Sequence, residues 1–304
     1  MGSSSAKSGF TLIELSIVLV IIGLIIGGVL VGQDLVRAAE VRATIAQVEK
    51  FNTATNTFRG KFGYLPGDIN AQAANQFGFA ARGNYAGEGD GNGNIEGVAV
   101  NAAGFNTGIF ESAGETAMFW VDLSSNTGGN LIEGGFNTAT SNVIPSADIT
   151  GTNINLYLPQ AKLGRGNYFY VYSSAYSGGS WVNLGVNYFG LSAVYDIQAA
   201  SSNGVIESYH NIPVAEAYAI DKKIDDGMPQ SGTVMAWYLN WEQFWTDGTN
   251  ASLTANEPKP YSGSLASSAS TCYDNGSNSA VPTTYSMAQN NGAGPNCALS
   301  FKFQ

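Results

Sequence analysis

The first sixty positions carry two successive hydrophobic patterns. From Leu15 to Gln33 no side chain is charged, over 19 residues reading LSIVLVIIGLIIGGVLVGQ. As a helix rising ~1.5 Å per residue this run is about 28 Å long, enough to cross a hydrocarbon core of about 30 Å. It exceeds the apolar core of an ordinary secretory signal, and no small-x-small cleavage site follows it. From Asp34 to Phe58 apolar side chains return at three- or four-residue steps, at Ala38, Val41, Ile45, Val48, Phe51 and, one turn further on, Phe58. Arg37, Glu40, Arg42, Glu49 and Lys50 take the other faces. This spacing predicts one continuous helix from Phe10 to Phe58, with a membrane half over 10–33 and an amphipathic half over 34–59 that packs on a globular head. Gly60 reads as its terminator. Gly23, Gly27, Gly28 and Gly32 form two small-xxx-small pairs. They serve either close helix packing or local weakening, at about 1 kcal/mol for each Gly relative to Ala. No aromatic residue lies between Phe10 and Phe51, which argues against a stacked aromatic path along this helix.

The pattern changes again over 60–304. Gly63–Asp68 (GYLPGD) reads as a turn. Ser112 and Glu115 have capping-box spacing and open a short helix through Leu123, whose Phe119 and Trp120 read as core. Asn167–Tyr172, Trp181–Phe189 and Leu191–Ile197 are rich in aromatic and β-branched residues and read as antiparallel strands, the first two joined through Ser177–Ser180. Gly232–Leu239 and Ala298–Phe303 read as a second strand group. Val214, Ala217, Ile220 and Ile224 make an apolar helical stripe, opened by Pro213 and closed by Gly227 and Pro229. The fold class is therefore α+β: a long N-terminal helix on a head with an antiparallel β-sheet, short helices and long loops. There are no internal repeats.

Composition narrows the chemistry. The chain of 304 residues has a formal charge of −10, with only 12% of residues charged and 38 glycines. Residues 61–304 hold 8 basic and 19 acidic groups, which excludes nucleic acid as a main partner because phosphate binding needs a basic face. One His and two Cys exclude histidine-rich metal sites and four-cysteine zinc sites. No G-x-S-x-G, H-E-x-x-H or P-loop string is present. The reading is of a protein that is not an enzyme.

Glu14 stands immediately before the apolar run, beside Leu12 and Ile13. A carboxylate at membrane depth is costly and demands a positive partner. Lys7 is the one cation upstream, unless a cut after Gly9 frees the α-amine of Phe10. The string Lys7-Ser8-Gly9-Phe10-Thr11-Leu12-Ile13-Glu14-Leu15, followed by Ile17 to Gly23, resembles the leader and transmembrane start of type IV pilins and type II secretion pseudopilins. The match covers about thirty residues. The resemblance implies a leader peptide at 1–9, cleavage between Gly9 and Phe10 by a prepilin peptidase, N-methylation of Phe10, and pairing of Glu14 with the Phe10 amine of a neighbouring subunit. It also implies self-assembly with other pilin subunits on an inner-membrane platform driven by a cytoplasmic ATPase. The chain would sit in the bacterial inner membrane with a periplasmic head before assembly. Afterwards it would be part of a surface filament or periplasmic pseudopilus.

Three features of the head bear on chemistry. Asp90, Asn92, Asn94 and Glu96 alternate with small residues in GEGDGNGNIEG, which suits calcium and its oxygen ligands. Ile95 stands where such loops carry Gly, and Asn101 where they carry a bidentate Glu, so a plain solvated loop is the alternative. Asp221, Asp225 and Asp226 sit in IDKKIDDGMPQSG, a string resembling one that recurs in large prepilin-type proteins. They read as a structural helix end, with a cation site or an intersubunit ion pair as the other readings. Cys272 and Cys297 pair in an exported domain, and a C-terminal disulfide loop over 272–297 resembles the pilin pattern. Closing it is worth about 3–4 kcal/mol in the chain-entropy account. The functional expectation is a structural subunit of a type IV pilus-like filament. The alternatives are a type II secretion pseudopilin and, of another class, a membrane-anchored enzyme or receptor with an uncleaved helix.

Overall fold

A computed structural model describes residues 9, 11–82, 89–97, 114–136, 147–177, 180–199, 205–240, 242–246 and 264–303. The chain divides into two compact units, Met1–Glu40 and Val41–Gln304. Helix α1 (Leu12–Phe62) contributes to both. In the first unit it is helical without interruption through Gly23, Gly27, Gly28 and Gly32, and a Cβ at any of these four would meet nothing. Its apolar side chains are exposed from Leu12 to Val36, so this stretch is long and apolar enough to cross a membrane.

In the second unit the amphipathic stripe is buried as its spacing predicts. Val48, Phe51 and Phe58 are in the core, and Val41 and Ile45 pack at its margin. Helix α1 does not stop at Gly60. It runs to Phe62 and turns off at Gly63, whose φ is +81° and whose N–H bonds the Arg59 carbonyl at 2.8 Å. The reason is packing: Phe62 lies against Phe58, Phe77 and Phe79, at ring distances of 4.6, 5.2 and 4.9 Å. That apolar contact outweighs one helical glycine, which costs about 1 kcal/mol.

A six-stranded antiparallel sheet faces α1. Strand β3 (Ser180–Ile197) is its spine. It pairs with β2 (Asn167–Ser177) and β10 (Leu299–Lys302) over one half, and with β1 (Ile149–Thr150) and β4 (Ile206–Tyr209) over the other. β5 (Val234–Met235) adds to β10. The sheet departs from the predicted strands in two places. Trp181–Phe189 and Leu191–Ile197 are one strand, because Gly190 is a packing site: the Tyr170 ring occupies the space its Cβ would need. The supposed second strand group supplies β5 and β10 to this same sheet. Trp237–Leu239 goes instead to β6 (Trp237–Asn240), which pairs with β7 (Glu242–Trp245) as a separate hairpin. The hairpin residues Gly178 and Gly179 lie outside the described residues.

Between α1 and the sheet, Phe51 meets Trp120 at 4.9 Å and Phe169 at 5.2 Å. Trp120 belongs to α3 (Glu115–Ser124), which begins at Glu115 behind Gly114. Of the expected capping box, Ser112 lies outside the described residues, and the Glu115 carboxylate accepts from the loop 89–96. Helices α2 (Ala71–Phe77) and α4 (Val214–Ile224) complete the unit, with Pro213 at the N-cap of α4 rather than inside it. Near the C-terminus β8 (Tyr273–Asp274) and β9 (Thr284–Tyr285) pair within otherwise irregular chain.

Candidate functional site

At the N-terminus Gly9 is exposed and lies outside any helix or strand, and Phe10 lies outside the described residues. Thr11 precedes the first helical residue. Its N–H and hydroxyl donate to Glu14 Oε2 at 2.8 and 2.7 Å, while the Glu14 N–H donates to the Thr11 hydroxyl at 3.3 Å. This reciprocal pair is a capping box. The sequence reading missed it, although T-x-x-E before an apolar run is its signature. It gives Glu14 a second task. The carboxylate starts the helix, and both of its bonds converge on Oε2. Oε1 accepts no bond among the described residues, so one oxygen is available to an incoming amine.

In the head, the structure brings Asp90 together with Asp68 and Glu115 rather than with Asn94 and Glu96. The carboxylate oxygens of these three lie within 4.8 Å of one another. Asp68 accepts N–H bonds from Gly91 at 2.7 Å and Gly93 at 2.9 Å, and Glu115 accepts from Gly89 at 2.8 Å and Glu96 at 3.0 Å. The Asn92 amide is spent on Asp90, at 2.9 Å. Asp68 and Glu115 are buried and hydrogen-bonded to each other. Burial, opposed in part by the loop N–H donors, pushes Asp68 up to about 6. Burial and the Asp68 charge push Glu115 well above the usual carboxylate range. Two carboxyls this close share a proton at moderate pH. Neither Asp68 nor Glu115 was singled out from the sequence as a ligand. They are 47 positions apart, and only the fold joins them. Beside them a buried ion pair links Arg82 to Asp122 at 2.6 Å, and Asp122 also accepts from Gly67 N–H at 2.7 Å.

Asp221, Asp225 and Asp226 close a knot after α4. Asp221 accepts from the Tyr285 hydroxyl at 2.8 Å and from Gly227 N–H at 3.0 Å. Asp225 accepts from the backbone of Thr233 and Val234, and Asp226 from Met228 N–H and the Ser231 hydroxyl, both at 2.8 Å. Each carboxylate ties down one part of the turn, as a helix end requires, and the three also place carboxylate oxygens within 4.8 Å of one another, as a cation site requires. Burial pushes Asp221 up to about 7. Cys272 and Cys297 are disulfide-bonded, with Cα atoms 5.0 Å apart.

An open groove of about 600 Å³ runs beside α1, floored by Phe51, Ile132 and Leu158. Its polar rim is paired within itself. Gln47 bridges Gln160 and Lys162, and Lys50 meets Glu133 at 2.9 Å.

Residues 4–30 match the prokaryotic N-terminal methylation motif. This is the prepilin motif of type IV pilins and pseudopilins, and it implies processing by a prepilin peptidase and assembly with other pilins. No curated protein matches the chain significantly, and no solved structure does.

Proposed function

We propose that the protein is a structural subunit of a type IV pilus-like filament, inserted in the inner membrane through α1 and drawn into the filament after removal of residues 1–9. The observation that carries this reading is the methylation motif over residues 4–30, laid directly against an apolar helix with a single acidic residue, Glu14, in its first turn. In a dry environment an unpaired carboxylate is penalised by several kcal/mol, so a subunit offering an amine is selected over one that does not. Lipid contacts of α1 exchange for contacts with other helices, at little hydrophobic gain or loss. The carboxylate then supplies register. The disulfide and the polar C-terminal loops favour a cell-surface filament over a type II secretion pseudopilus.

The test begins with the intact mass of the protein from native membranes. Removal of nine residues and a methylated Phe10 are expected; a chain that polymerises with residues 1–9 in place would overturn the proposal. Gly9→Val is expected to block cleavage. Glu14→Val and Glu14→Gln are both expected to be cleaved and yet to fail in filament entry. Gln retains the capping box with Thr11, so its failure isolates charge from helix initiation. If Glu14→Gln assembles normally while Glu14→Val does not, capping rather than ion pairing is the role of Glu14. Immunogold labelling of surface filaments separates pilus from pseudopilus.

A further inference from the structure

The outer face of β3 and β4 holds a feature that neither packing nor the N-terminal motif explains. The register between these strands slips between Val194 and Asp196, making Tyr195 an extra residue in β3. A bulge of this kind re-aims side chains. Here it sets Tyr195 and Asp196 together on the face that carries Glu207 and Tyr209. Tyr195 and Tyr209 stack at 5.8 Å between ring centres, tilted by 29°, and remain 45% and 49% exposed. Ala193, directly paired with Tyr209, is buried.

The polar groups around these rings carry one sign. Asp196 and Glu207 are direct cross-strand partners, an arrangement of like charges that destabilises a sheet. Asp148, just ahead of β1, accepts the Ala199 N–H at 2.8 Å, and its charge reaches Asp196. Glu207 accepts from Gln198 at 2.6 Å and is hydrogen-bonded to the Tyr195 hydroxyl. One carboxylate oxygen of Asp196 is buried with no hydrogen-bond partner. Among the described residues neither Asp196 nor Glu207 forms an ion pair.

We propose that Tyr195 and Tyr209, flanked by Asp196 and Glu207, form a docking surface for a lysine- or arginine-bearing segment of a partner protein. Charge complementarity selects this occupant. A cation is drawn to the exposed ring faces. The same cation relieves the repulsion between the paired carboxylates. A neutral glycan would use the rings but leave that repulsion in place. The surface is defined by the head alone and stands whether or not the N-terminal reading holds.

The experiment uses the full chain in nanodiscs of zwitterionic lipid and an octapeptide of alternating Arg and Gly as the probe. Calorimetry at low salt is expected to show saturable binding. Tyr195→Ala with Tyr209→Ala should weaken it by roughly tenfold or more. Glu207→Gln should weaken it several-fold, and salt at about 0.5 M should largely abolish it. Tyr209→Phe, which keeps the ring, and Glu133→Gln, which removes an acid elsewhere, should leave affinity within about twofold. Should the double variant fail to fold, Glu207→Gln decides alone, its folding checked by thermal melting. Failure of the wild type to bind would overturn the proposal, as would equal binding by the ring and carboxylate variants. So would capture of chitopentaose in preference to the cationic peptide.

Discussion

At the scale of single residues, the sequence exposed chemistry that depends on neighbours along the chain and concealed what depends on distant partners. Phe51, Phe119 and Trp120 were recognisable as core, and they meet in one aromatic cluster. Cys272 and Cys297 were recognisable as a pair. The buried partnership of Arg82 with Asp122 was not, because 40 positions separate them and neither lies in a motif. That pair yields a prediction. Both side chains are fully enclosed, so removing one leaves an uncompensated charge in the core. Arg82→Met is expected to destabilise the head by about 3–5 kcal/mol, read from urea denaturation of the full chain in detergent. Replacing both at once, as Arg82→Met with Asp122→Leu, should cost clearly less. A single-variant loss below about 1 kcal/mol would show that water reaches Asp122.

At the scale of elements, a capping signal located α3, periodicity located α4 and the main strands, and neither located α2 or the 3-10 turn Gly151–Leu156. Boundaries failed where tertiary contact overrode a local signal. Gly60 looked like a stop, yet Phe62 had a pocket to fill. Gly190 looked like a break, yet Tyr170 required its missing side chain. These corrections can be checked. Gly60 is helical and a Cβ there would meet nothing, so Gly60→Ala is expected to stabilise the protein by about 0.5–1 kcal/mol. Gly63 has φ of +81°, and Gly63→Ala is expected to destabilise by about 1 kcal/mol or more. The opposite pair of signs in thermal melting would return the helix terminus to Gly60. Gly190→Ala should be worse than either, because the buried Tyr170 ring has no room to withdraw. The capping box at Thr11 and Glu14 belongs to this scale as well. It is legible as T-x-x-E before an apolar run, and it gives Glu14 a use in starting the helix besides its cost in a membrane.

At the scale of the whole molecule, acidity becomes a property of stability. Asp68, Glu115 and Asp221 all titrate higher in the folded chain than in an unfolded one: Asp68 about 6, Asp221 about 7, Glu115 well above its ordinary value. Between the unfolded and folded values the native state holds more protons, so stability falls as pH rises. It is full below about pH 4, the unfolded carboxyl range, and it declines as the pH passes through the folded values of Asp68 and Asp221. The net charge of −10 adds self-repulsion of the same sign. Salt distinguishes the two contributions, since it screens exposed charges far better than buried ones. The melting midpoint of the full chain in detergent is therefore expected to drop from pH 5 to pH 8, and to recover only partly in high salt. Asp221→Asn should flatten the curve between pH 4 and 7 while leaving the salt-sensitive part intact. A midpoint that rises from pH 5 to pH 8 would contradict the shared proton of Asp68 and Glu115. Calcium in the same melt addresses the loop read from Asp90, Asn92, Asn94 and Glu96. A rise at pH 8 that is lost in Asp90→Asn gives the loop an ion in place of the proton, and an unchanged midpoint leaves Asp68 and Glu115 to the proton alone.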